Sequence, residues 1–62
     1  MCLSTVYRKS EEENVFLLKN IADVKISGDS LVFIDLMGVR TELEGRILEI
    51  DLMENTILIS AD

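Results

Sequence analysis

Cys2 is the one cysteine of a chain that has no histidine, and it stands beside the α-amine of Met1. A terminal amine, a backbone amide and the Cys2 thiolate lie close enough along the chain to close small chelate rings around one ion. Nitrogen and sulfur donors tied to a planar backbone favour a square-planar or tetragonal metal, Ni(II) or Cu(II), over tetrahedral zinc. If Met1 is retained, it offers the amine, and Cys2 the amide nitrogen and the thiolate; if Met1 is removed, Cys2 itself offers amine and thiolate. One chain supplies too few side-chain ligands for a closed zinc site. Two chains facing across a dyad would supply two thiolates and two pairs of nitrogens, enough for one shared square-planar ion. The competing reading of Cys2 is a small hydrophobe at the start of a strand, because free cysteines are commonly buried. Met37 and Met53 offer thioethers suited to Cu(I), or else fill an interface or a core.

Little else in the chain looks reactive. Without histidine the usual base for neutral pH is missing, and neither a Ser-His-Asp nor a Cys-His arrangement can be built, so an enzyme is not expected. The run Glu11-Glu12-Glu13 reads as a solvated loop rather than an acid-base pair. Gly28, Gly38 and Gly45 are single glycines at turn positions, not a phosphate-binding loop. The net charge of -6 disfavours nucleic acid and anionic membranes. The basic residues Arg8, Lys9, Lys19, Lys25, Arg40 and Arg46 are scattered among acids. No stretch approaches the roughly 20 apolar residues of a membrane span, and no secretion signal is evident, so a cytoplasmic protein with a reduced thiol is expected.

The elements that must position Cys2 read as short alternating runs broken by turn residues, the pattern of small antiparallel β proteins. "CLSTVYR" places Leu3 and Thr5 on one face and Val6 on the other, then runs into "KSEEEN". "NVFLLKNI" fits a strand or a short helical turn, since four consecutive apolar residues do not settle the period, and is read as a strand; "ADVKIS" follows, alternating Val24 and Ile26 against Asp23, Lys25 and Ser27. "SGDS" is a tight turn in which Gly28 takes positive φ at little cost. "LVFIDL" reads as a largely buried strand, "DLMG" as the next turn, and "VRTELE" as a strand placing Val39, Thr41 and Leu43 opposite Arg40, Glu42 and Glu44. Gly45 ends or bends that strand. "RILEIDL" and "TILIS" are joined by "MEN", with Asn55 the candidate left-handed residue. "VFIDLMG" and "LEIDLMEN" echo each other, as two hydrophobic strands entering similar turns.

These runs predict an all-β fold: a single domain over residues 1–62, folded as a small SH3-like barrel of about six short antiparallel strands. With 48% of its 62 residues hydrophobic, the chain carries more apolar side chain than one small core can hide, which predicts a homodimer.

"MCLSTVY", "SGDSLVFIDLMG" and "EGRILEIDLMENTILI" together resemble the CooT family of small nickel-binding proteins over nearly the whole chain. The resemblance implies an SH3-like homodimer that binds one Ni(II) per dimer through the cysteine after the initiator methionine. It assigns the metal role to Cys2, with main-chain nitrogen at Met1 or Cys2 as co-ligand. It also implies a part in supplying nickel to carbon monoxide dehydrogenase, with that enzyme or its maturation factors as partners. Two other readings compete: a metal-free SH3-like or Sm-like module for RNA or protein, and a structural dimer in which Cys2 is incidental. The acidic balance and the three aromatics Tyr7, Phe16 and Phe33, read as embedded among hydrophobic residues, argue against RNA.

Overall fold

The computed structural model describes residues 2–60, and the chain folds as an all-β protein of six strands. They are β1 (Ser4–Arg8), β2 (Val15–Ser27), β3 (Ser30–Asp35), β4 (Arg40–Glu44), β5 (Arg46–Asp51) and β6 (Thr56–Ser60). All six lie in one sheet in the order β4-β3-β2-β1-β6-β5. The two ends of that order, β4 and β5, are consecutive in the chain and separated only by Gly45. A sheet whose first and last strands are one residue apart curls on itself, which is how so short a chain makes a barrel, with β4 and β5 joined at that corner and not paired along their length.

Gly45 supplies the corner. Its φ is 150°, and its N–H donates to the Asp29 carbonyl at 2.8 Å, tying the corner to the β2–β3 turn. The chain changes sheet edge there without reversing, and this produces the first departure from expectation, a parallel pair in a pattern expected to be antiparallel. Hairpins reverse the chain between β1 and β2, β2 and β3, β3 and β4, and β5 and β6. Four reversals leave β6 pointing as β1 does, so those two strands pair in parallel, Thr5 with Thr56 through Arg8 with Ile59.

The second departure is β2. The runs "NVFLLKNI" and "ADVKIS" are one strand of 13 residues, bent where Asn20 takes a φ of 58°. Ser4 pairs with Ile21 and Val6 with Leu18, so three steps on β2 oppose two on β1. Such bulges sharpen twist and let one long strand serve both β1 and β3.

Alternation along the strands delivers the core. Val6, Ile21, Leu31, Phe33, Ile57 and Ile59 are buried, with Leu17, Leu18, Val24, Leu43 and Ile47 packed against them. Each fully buried side chain contributes about 1.5–3 kcal/mol. "LVFIDL" is less buried than expected: Leu31 and Phe33 point inward while Val32 and Ile34 remain partly exposed. Thr41 and Leu43 are the inward positions of β4, as the alternation requires.

Turn chemistry follows the residues. Ser27 pairs with Ser30, leaving Gly28 and Asp29 as a two-residue turn with Gly28 at a φ of 58°. Asn55 has a φ of 57°, the left-handed conformation that asparagine tolerates better than most residues. Asn55→Val is therefore expected to cost about 1–2 kcal/mol, and Asn55→Gly less than half as much, in urea unfolding. Equal losses would place the role of Asn55 in its side chain rather than its backbone.

Candidate metal centre

Cys2 is exposed, not buried as a small core hydrophobe. Its predicted co-ligand residue Met1 lies outside the described residues. Leu3 is half-buried and leads into β1, where Ser4 pairs with Ile21 on one side and Thr5 with Thr56 on the other. The Thr5 N–H also donates to the Asn55 carbonyl at 2.9 Å, which fastens the start of β1 to the β5–β6 turn. Across the sheet, the Leu36 N–H donates to the Asn20 carbonyl at 3.0 Å, bringing the β3–β4 turn to the bulge beside Ile21. The amino-terminal segment thus emerges with one turn on either flank.

The two turns are built alike, and this accounts for the echo between "VFIDLMG" and "LEIDLMEN". Asp35 Oδ1 accepts hydrogen bonds from the Met37 and Val39 N–H groups, both at 2.9 Å. Asp51 Oδ1 accepts from the Met53 and Glu54 N–H groups, both at 3.0 Å. An aspartate that satisfies backbone donors two to four residues ahead closes its own turn. The intervening Leu-Met pair is then pushed outward: Leu36 is 57% exposed, Met37 83%, Leu52 82% and Met53 92%. Met37 and Met53 therefore do not fill the core. With Leu36 and Leu52 they are exposed apolar side chains on the two turns at the end of the barrel from which Cys2 emerges, together called the collar below.

Among the described residues no three His, Cys, Asp or Glu side chains cluster as metal ligands. The described residues of one chain thus present no closed four-ligand side-chain site of the zinc type. The side-chain donor described at this end is the Cys2 thiol.

The sequence model for the CO dehydrogenase accessory protein CooT matches residues 1–60. The chain belongs to the CooT family. Within reach of this CooT chain by sequence is an uncharacterized protein of Methanocaldococcus jannaschii, 36% identical over 59 residues, which span 95% of this chain and 96% of the other. A crystal structure attributed to CooT of Carboxydothermus hydrogenoformans superposes with a TM-score of 0.88, covering 98% of each chain at 15% identity. At that identity the likeness speaks to the fold. The family's description is that of an accessory protein to an enzyme. Among the described residues, no helix is long and apolar enough to cross a membrane.

Sequence reasoning singled out the thiol because it is unique, but it missed Asp35 and Asp51 as the residues that shape the collar. The signal was present in the repeated Asp-Leu-Met. Asp51→Ala is expected to cost about 1–2 kcal/mol in urea unfolding by leaving two N–H groups without their acceptor. Asp51→Asn, which keeps an acceptor oxygen, should recover most of the loss. Equal destabilisation by both changes would mean that charge, not the turn hydrogen bonds, is what Asp51 supplies.

Proposed function

We propose that this CooT protein is a homodimeric carrier or reserve of Ni(II), holding one ion between the Cys2 thiolates of two chains. The ion is cargo, and carbon monoxide dehydrogenase maturation is the process it serves. The observation that carries this reading is the exposed Cys2 thiol set between two exposed Leu-Met turns.

The collar supports the dimer on energetic grounds. Among the described residues six hydrophobic side chains are buried in the core, while ten large hydrophobic residues are exposed. A chain of 62 residues gains little from so small a core and gains substantially by covering apolar surface with a second copy. A two-fold contact through Leu36, Met37, Leu52 and Met53 would bring both amino-terminal segments to one axis. Each chain would then offer a thiolate with main-chain nitrogen at Met1 or Cys2.

Such a site suits a carrier. Apolar walls strengthen the metal–thiolate interaction by excluding water, while a position at the end of the barrel leaves the ion within reach of a competing ligand. The thiol must lose its proton to bind, so affinity falls as pH falls and a proton can help release the metal. Copper outranks nickel at nitrogen and sulfur donors, so the choice of nickel in the cell rests on delivery and availability. The family description, an accessory to CO dehydrogenase, supports a destination in that enzyme's maturation.

Titration of the purified protein with Ni(II) is expected to saturate at about half an equivalent per chain, set by two-fold sharing, with a thiolate-to-nickel charge-transfer band in the ultraviolet. Cys2→Ser should abolish the band, and lowering the pH should weaken binding. A band that survives Cys2→Ser would place the ion elsewhere. Saturation at a full equivalent would rule out sharing.

A further inference from the structure

We infer that the outer face of β1, β6 and β5 is a docking surface for an extended, lysine- or arginine-bearing segment of a partner protein. Register places Phe16, Tyr7, Leu58 and Glu49 side by side across four strands: Tyr7 is partnered by both Phe16 and Leu58, and Leu58 by Glu49. Tyr7 and Phe16 meet edge to face, with ring centroids 6.2 Å apart and an interplanar angle of 78°. Phe33 is fully buried, but Phe16 is 54% exposed and Tyr7 partly so. Two of the three aromatics are thus on the surface rather than embedded.

Beside this row lies a depression of about 210 Å³ lined by Tyr7, Asn14, Glu49, Thr56, Ile57 and Leu58. That is below the roughly 300 Å³ at which small-molecule sites begin, and it suits one long side chain. Its chemistry selects a cation. Glu49 is the carboxylate in the lining, Glu13 directly precedes Asn14, and no lysine or arginine contributes to it. Arg8 and Lys9 follow Tyr7 in the chain, and neither lines the depression. An ammonium or guanidinium there would meet Glu49 while its aliphatic stem and charge lie against the Tyr7 ring. Next to the depression, β5 is an end strand of the sheet, so an extended segment can add backbone hydrogen bonds along it. Docking on this face does not depend on nickel, because it uses neither Cys2 nor the collar.

The test is titration of the ¹⁵N-labelled full chain, metal-free, with an acetylated ten-residue peptide alternating threonine and arginine. Amide shifts are expected to concentrate at Tyr7, Phe16, Glu49, Thr56 and Leu58. Glu49→Gln and Tyr7→Thr should each weaken binding about fivefold, with spectra that remain dispersed, while Glu42→Gln on β4 leaves it unchanged. The proposal is overturned by absence of saturable binding, by shifts spread over Glu42, Glu44 and Asp29, or by equal losses from Glu42→Gln and Glu49→Gln. It is equally overturned if a threonine–serine peptide or a uridine decamer binds as well as the arginine peptide. Loss of the protein's own self-association in Phe16→Ala, measured by light scattering, would make the face a contact between copies and overturn it too.

Discussion

The structure depends on where β1 is held. This strand of five residues lies between β2, to which it is antiparallel, and β6, to which it is parallel. Both pairings begin at Ser4 and Thr5, within three residues of Cys2. The hydrogen bond from Thr5 to the Asn55 carbonyl and the buried Val6 side chain then fix the direction in which the amino-terminal segment leaves the barrel. Any chemistry at Cys2 inherits its position from this short strand.

The parallel pairing is possible only because the chain turns a corner at Gly45 without reversing. A hairpin at that position would have sent β6 in the opposite sense and moved the β5–β6 turn, with Leu52 and Met53, to the other end of the barrel. The left-handed region is open to glycine at little cost, so one residue without a side chain decides which end of the molecule carries the collar. The same corner explains why a chain with few buried residues keeps an ordered sheet. Its edges β4 and β5 are held together by the covalent chain, with the Gly45 to Asp29 hydrogen bond as a tie.

Much of this was legible in the residues. Alternation in "VRTELE" gave the inward positions Thr41 and Leu43, and Gly28 and Asn55 were recognisable as turn residues because few others tolerate positive φ. The length of β2 was not, since "NVFLLKNI" and "ADVKIS" read as two separate runs; pairing with β1 and β3 on either side of the bulge holds them as one strand. Nor could local pattern show that Gly45 bends rather than reverses the chain, since glycine serves both. At the candidate site, Cys2 stood out as the single thiol, and the repeated Asp-Leu-Met could be seen as two similar turns. Their gathering round the amino-terminal segment could not, because it arises from long-range hydrogen bonds to Asn20 and Asn55. The Tyr7–Phe16 contact was hidden for a related reason: apolar neighbours in sequence suggested burial, but both rings lie on the outer face of the sheet.

Exposed Leu-Met turns beside an exposed thiol on an acidic protein suit two chains that meet end to end and share one ion at their common axis. The most direct measurement is a crystal structure of the nickel-loaded protein with anomalous scattering recorded at the nickel edge. One nickel peak per two chains is expected, lying on the two-fold axis between the Sγ atoms of both Cys2 residues, with Leu52 and Met53 in the contact. A nickel peak bound to a single chain, or Cys2 thiols at opposite ends of the assembly, would contradict it.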